Sequence, residues 1–377
     1  MNTDFLQNIL EISTKYKFQT QTEFNIFSVL HSKYDERRLH SRFISNLLSP
    51  NSSHGQNDFF LKKFIDHIGI SEFNLNEIEV TPNEFNKQEW NNIDIYIRNK
   101  HQAIIIENKI FARDSNQFDE NSGIIIPQLF NYYKKVIDDL KIDDTAGKRN
   151  IHLVYLTLKE KEPSYIDYFR EKNITPIQID YIRFIPSWLE DCQKSINNPS
   201  LIDSIEQYRN LLFEITNNFK LTIKLKSLVS QNIDNVWDLL HTNQNESEIL
   251  KHIFIHIKWH TVHEFWNELG EHLQNKLRLK VNFPSDYLIT KTTHRNFKKG
   301  LALNFTYNDK HIYISNDRKG FTWGIQSEWG YFKFDNSQNI IFSDFMSKET
   351  FQMINNEFRK YVIEMITIEI INIINTK

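Results

Sequence analysis

Asp94, Glu107 and Lys109 have the types and spacing for chemistry on a phosphate. They stand in the runs Ile-Asp94-Ile-Tyr-Ile and Ala-Ile-Ile-Ile-Glu107-Asn-Lys109. Side chains on a strand alternate faces, so Glu107 and Lys109 share a side and Asn108 takes the other. With Asn99-Lys100 as a two-residue turn, Asp94 stands opposite Ile105 on that same side. Glu107 is then its diagonal neighbour, at a Cα separation of roughly 7–8 Å. Two carboxylates so placed can hold one divalent cation. Hard oxygen donors suit Mg²⁺, with Mn²⁺ as a substitute, and leave the remaining coordination to water and phosphate. The Lys109 ammonium beside them can position or activate a water and stabilise charge on a pentavalent phosphorus. A Glu and a Lys at the end of so apolar a strand are costly to bury unless paired or metal-bound. Taken alone, Ile-Glu-x-Lys is more often the solvent-facing end of a strand. Asp94 at a fitting hairpin offset is what makes it a candidate site.

A sheet must hold these residues, and the flanking sequence supplies one. Strands are predicted at 77–81, 93–98, 102–110, 152–158 and 175–179 from their apolar, β-branched content. Helices are predicted at 35–48, where Leu39, Phe43, Ile44 and Leu47 make a stripe, and at 57–68. Pro127 opens a further helix to about 140, a loop covers 112–126, and two helices follow, one around Trp188 and one over 201–216. This order predicts a mixed α/β domain over residues 1–220. Residues 221–377 read as a second, α+β domain: helices to about 280, short aromatic strands over 286–334 with hairpin turns at Asp309-Lys310 and Arg318–Gly320, and a final helix over 347–375.

Composition sets outer limits. The 377 residues carry a net charge of −3, so this is not a protein that coats nucleic acid through bulk positive charge. Aromatics make up 14%, enough for a sizeable core, and only 9 Gly and 8 Pro argue for a helix-rich chain. The lone cysteine, Cys192, excludes an intramolecular disulfide and fits a cytoplasmic setting. The first residues lack the pattern of a signal peptide, and no apolar run reaches the ~18 residues of a membrane span.

The landmarks around the site resemble those of the PD-(D/E)xK nuclease superfamily. In that superfamily an Asp on one strand and a (D/E)-x-K on the next form the metal site. Ile93 replaces the usual Pro before Asp94. The chain is similar to a bacterial branch marked by E-x-x-x-H-S, Leu-Leu-x-Pro and His-Gly, here Glu36, His40, Ser41, Leu47, Leu48, Pro50, His54 and Gly55. Asp94-Ile95, Ile106–Lys109 and the helical Gln128, Leu129, Tyr132 and Tyr133 follow in order. The resemblance covers about residues 30–215. It implies a restriction-endonuclease-like mixed sheet flanked by helices, and nuclease activity in bacterial restriction or phage defence. It also implies Asp94 and Glu107 as metal ligands, Lys109 as catalytic assistant, Gln128 near the metal-bound phosphate, and Tyr132 supporting it at the substrate. Glu36 would complete the carboxylate set, and His40 would orient it or touch phosphate. Glu84 or Glu89 is a further acidic residue, with nothing in the sequence to choose between them.

Other features are weaker. His252, His256, His260 and His263 fall near one helical face, but no Cys or carboxylate follows at zinc spacing, so packing is the better reading. Arg295, Lys298 and Lys299 form the densest basic segment of the second domain and could contact a phosphate backbone. The aromatics over 321–334 fit a small sheet's core better than a base-stacking surface. Two functions therefore stand. One is a nuclease acting on nucleic acid, DNA ahead of RNA, with a homodimer as a compatible assembly. The other is a non-catalytic binding module on a nuclease fold, which the intact Asp-Glu-Lys set argues against.

Overall fold

The computed structural model describes residues 24–84, 86–119, 124–242, 247–284, 289, 301–333 and 339–376. They group into two compact units. One takes the described residues up to Gln117 together with Ile126–Asn218, and the other takes Phe118–Ile125 and everything from Phe219.

The first unit begins with α1 (Ile26–Leu30), whose N-terminus Asn25 caps by accepting from Phe27 N at 3.1 Å. A π-helical turn, Glu36–Ser41, then leads into α2 (Arg42–Leu48). The sequence predicts one regular helix here. The turn instead takes up an extra residue: Leu39 N and His40 N both reach Asp35 O at 3.2 Å. Ser41 Oγ also donates to Glu36 O, five residues back, at 2.8 Å. Such π-turns are rare and recur at functional sites. Next come α3 (Phe59–His67), β1 (Glu79–Thr81), β2 (Ile95–Arg98) and β3 (Ala103–Lys109). The predicted loop over 112–126 contains a small hairpin, β4 (Gln117–Asp119) with β5 (Ile124–Ile126), most of which groups with the other unit. Then follow α4 (Gln128–Leu140), α5 (Asp144–Asn150), β6 (Ile151–Thr157), α6 (Ile166–Glu171), β7 (Ile177–Asp180), α7 (Phe184–Gln193) and α8 (Pro199–Gln231).

The sheet order is β1-β2-β3-β6-β7. The first three strands are antiparallel, while β3, β6 and β7 run parallel. β3 is central and every one of its residues is buried, as a strand covered on both faces requires. One face packs on α4 through Tyr96, Ile105, Leu153, Leu129, Tyr133 and Val136. This is the restriction-endonuclease-like mixed sheet flanked by helices.

The hairpin register departs from the sequence reading. Ile95 pairs with Ile106, Tyr96 with Ile105 and Arg98 with Ala103, so the loop is Asn99–Gln102, four residues and not two. The reason is local. Lys100 is not the glycine that a tight Asn-Gly turn needs. Asn99 Oδ1 instead accepts from both His101 N and Gln102 N at 2.8 Å and closes a longer turn. Continuing the register by one step puts Asp94 level with Glu107 rather than Ile105. Because the shift is two residues, the face does not change.

The second unit holds α9 (Ile233–Thr242), α10 (Ser247–Leu277), β8 (Val281–Asn282), β9 (Leu301–Tyr307), β10 (Lys310–Asp317), β11 (Gly320–Ile325), β12 (Glu328–Tyr331), α11 (Lys348–Phe351) and α12 (Asn356–Thr376). Its five strands pair antiparallel in the order β12-β11-β10-β9-β8. The aromatics over 321–334 divide. Phe321 is buried against Phe265 and Phe342, whereas Trp329 is 64% exposed. Of the histidine quartet, His260 Nδ1 faces Glu264 at 2.9 Å and His263 accepts from Asn267 at 2.9 Å. The side chains of His252 and His256 lie outside the described residues, as does the basic segment with Arg295, Lys298 and Lys299. No helix among the described residues is long and apolar enough to cross a membrane.

Candidate active site

Three of the residues singled out above converge at the end of β3. Glu107 is 1% exposed, and Lys109 Nζ is in ion-pair contact with its Oε1. Lys109 is the one donor to the Glu107 carboxylate among the described residues, and Oε2 has no hydrogen-bond partner there. Asp94, just before β2, accepts from Asn108 N at 2.8 Å through Oδ2. Burial raises the carboxyl pKa of Glu107, and Asp94 raises it further by like-charge repulsion, against the pull of Lys109. Asp94 is likewise raised by burial. Burial disfavours the Lys109 ammonium, but Glu107, Asp94 and Glu36 outweigh it and hold its pKa above the ordinary value. Three carboxylates thus surround one ammonium, and the cluster is short of positive charge.

Glu36 does not point a free carboxylate at this cluster. Its Oε1 accepts from three successive amides, Ile110 N and Phe111 N at 2.6 Å and Ala112 N at 2.9 Å. It thereby fixes the chain where it leaves β3. Asn108, on the opposite face from Glu107, completes the joint. Its Nδ2 donates to Glu36 O at 3.1 Å and to Ser41 Oγ at 3.0 Å, and its Oδ1 accepts from Tyr181 OH at 2.9 Å. The Glu-x-x-x-His-Ser turn and the Glu-Asn-Lys strand are therefore one hydrogen-bonded unit. The extra residue of the π-turn places Ser41 Oγ over Glu36 O, where both meet Asn108.

Burial, against the pull of Lys109 and the amides at Ala112 and Phe111, raises the Glu36 pKa from 4.5 to about 7. Raised in the fold, it contributes stability that is full below the unfolded value and lost as pH rises through the folded one. In EDTA, the protein should therefore lose up to about 3 kcal/mol between pH 4.5 and 7 through this group. Glu36→Gln should show a shallower slope in urea unfolding across that range. An unchanged slope would mean that Glu36 is ionised at ordinary pH.

His40 has no ring nitrogen free for a phosphate, so of the two roles expected of it only the orienting one is open. It is wholly buried, and both ring nitrogens are engaged inside the protein. Nε2 lies 2.9 Å from the Lys33 carbonyl, so it carries the proton. Nδ1 therefore accepts from Tyr208 OH at 2.8 Å. Burial lowers its pKa to about 4, which keeps it neutral. His40→Ala should cost roughly 3 kcal/mol, through a cavity and two buried groups left unsatisfied. Thermal unfolding checks this, and a melting temperature equal to wild type would refute it.

Gln128 and Tyr132 share a face of α4, and their polar ends are occupied. Gln128 Oε1 accepts from Ser115 N at 2.6 Å, and its Nε2 donates to Tyr132 OH at 2.7 Å. Tyr132 OH donates onward to Asn92 O at 2.6 Å. Tyr132 is 4% exposed and holds Gln128, so it can support that residue but offers little surface to a substrate. The relay ties the loop before Asp94 to the loop after Lys109. Asp114 in that second loop accepts from Tyr155 OH and Ser164 N at 2.9 Å, and Tyr155 stands beside Glu107 on β6.

The structure also separates Glu84 from Glu89. Glu84 accepts from Asn46 Nδ2 at 2.7 Å and Ser53 N at 3.0 Å, holding the Ser-rich turn after α2. Glu89 faces the site: burial and the nearby charge of Asp94 raise its pKa. Its partner is Arg37 of the π-turn, Nε to Oε1 2.6 Å. Sequence reading missed Arg37, Asn108, Asp114 and Tyr155. Asn108 had a signal, its alternation out of phase with Glu107. Arg37 and Asp114 had none.

A divalent cation fits this donor set. The buried Glu107 carboxylate, level with Asp94 and with its Oε2 lacking a hydrogen-bond partner among the described residues, is the arrangement a hard cation satisfies. No trio of His, Cys, Asp or Glu disposed to hold a metal occurs among the described residues. Residues 24–210 match the family model of the PD-(D/E)XK nuclease superfamily, and over this stretch the chain belongs to that superfamily. No curated protein and no solved structure matches the chain.

Proposed function

We propose that this chain is a Mg²⁺-dependent nuclease that hydrolyses phosphodiester bonds of DNA, in bacterial restriction or phage defence. The observation that carries the reading is the buried Glu107 carboxylate, level with Asp94 and with Lys109 as its one donor among the described residues. Asp94 and Glu107 would hold the cation, which would act as a Lewis acid toward a phosphoryl oxygen. The Lys109 ammonium, held protonated by its acidic neighbours, would stabilise charge on the phosphorane and orient the attacking water. Asn108, Glu36, Gln128 and Tyr132 would keep the two carboxylates and the lysine in register. Such positioning by rigid neighbours is a large part of what enzymes contribute to rate. Membership of the superfamily supports nuclease chemistry. The test is cleavage of supercoiled plasmid, linear duplex, single-stranded DNA and RNA, each with Mg²⁺, Mn²⁺ or EDTA. Metal-dependent cutting of DNA is expected. No cutting of any substrate would leave a binding module on a nuclease fold.

A further inference from the structure

We infer that Arg37 is a phosphate-binding residue at the mouth of the site, parked on Glu89 until a nucleic acid backbone takes its guanidinium over. The inference rests on the nuclease reading above and names one of its substrate contacts. Arg37 follows Glu36 in the π-turn, whose start is fixed by Asp35 accepting from Arg38 N at 2.8 Å. Its side chain is 62% exposed, whereas that of Glu89 is only 7% exposed. The pair therefore has a wet cationic end and a dry anionic end. The guanidinium end lies in water, where the attraction is screened, so it is the end that can move while Glu89 stays. The preceding residue, Glu36, accepts from the amides of Ile110, Phe111 and Ala112, directly after Lys109. The pair thus lies at the acidic cluster and not on a remote surface.

The chemistry fits a phosphodiester. A guanidinium presents a planar donor fork that matches phosphate oxygens and stays charged at any working pH. A polyanion approaching three clustered carboxylates needs a compensating cation at the entrance. Lys109 cannot serve, because it is 8% exposed and committed to Glu107. Transfer of Arg37 to the backbone would leave the Glu89 carboxylate facing the cluster without its counter-ion.

Two variants of the full chain separate this role from a structural one, because the expected effects have opposite signs. Duplex DNA binding is measured by fluorescence anisotropy in EDTA over a range of NaCl, with urea unfolding of each variant alongside. Arg37→Ala should weaken binding about tenfold and lower the slope of log Kd against log salt by about 1. Arg37→Lys should recover part of the affinity and all of the slope. Glu89→Gln, which frees Arg37 and removes an anion, should bind at least as tightly as wild type. If the pair is only a structural tie, Arg37→Ala and Glu89→Gln will lose stability together and leave binding unchanged, which overturns the inference. Wild type that binds and cuts while Arg37→Ala binds identically sinks this inference alone. Wild type that binds no nucleic acid in EDTA or in Ca²⁺ and cuts none in Mg²⁺ sinks the nuclease reading and this inference with it.

Discussion

Glu107→Gln should stop cleavage and, in the same protein, raise its stability in the absence of metal. The loss of activity follows from the donor set. A neutral amide cannot take the place of a carboxylate toward a hard dication, and cleavage should fall at least about a thousandfold. The gain in stability follows from counting charge. Asp94, Glu107 and Glu36 all act on the single ammonium of Lys109. Removing one buried carboxylate leaves Lys109 still compensated and relieves the repulsion that raises Glu107. Removing an uncompensated buried charge, unlike breaking a balanced pair, is favourable, by about 1–3 kcal/mol. In EDTA at pH 8 the variant should melt above wild type. Mg²⁺ should stabilise wild type more than the variant, because binding to the fold adds stability by mass action. A variant less stable than wild type in EDTA would mean that Glu107 and Lys109 form a balanced pair and that the cation is not needed to complete the charge.

Lys109→Met should fail in the other direction. It too should abolish cutting, by at least about a thousandfold, since the cation beside the phosphate is gone. Its metal-free stability at pH 8 should fall by about 3–5 kcal/mol, the cost of stripping a buried acid of its partner. The pH dependence has a definite sign. Without the ammonium, the carboxyls of Glu107 and Asp94, already raised by burial, rise further. The fold then binds protons that the unfolded chain releases, so stability drops as pH increases. The deficit should be small near pH 5 and largest at pH 8, and divalent cation should restore more stability to this variant than to wild type. Urea unfolding at pH 5 and 8, with and without Mg²⁺, reads all of this. A deficit independent of pH would point to lost packing of the lysine stem instead of charge.

The two variants test one property from both sides: the site is built with too much negative charge for its own lysine. A buried cluster of that kind stays in place only if its neighbours are rigid. Here they are. Asn108 is held by four contacts of its backbone and side chain, Glu36 spans three amides, and the Gln128–Tyr132 relay clamps the loops on either side. These side chains convert the helix-to-sheet packing of this unit into a fixed geometry at the carboxylates. That fixed geometry is the link from fold to function.

What the sequence alone determined is what local patterning can carry. The apolar run before Glu107 specified a central, doubly covered strand, and strand alternation put Glu107 and Lys109 together with Asn108 opposed. The order of strands and helices specified the mixed sheet, and Asp94 was assigned to the right face. What it missed depends on contacts distant in the chain or on competition between turns. Asp94 is level with Glu107, not diagonal to it, because Asn99 closes a four-residue turn with its own side chain. His40 looked like a reactive group and is a buried strut, because Tyr208, 168 residues away, supplies its hydrogen bond. Glu84 and Glu89 are alike in sequence, and only the Ser53 turn and the Arg37 guanidinium tell them apart. Residue type and spacing decide which groups a chain offers. Which of them face water, which face each other and which are consumed in holding the rest depends on elements far apart in sequence, and that the tertiary structure alone decides.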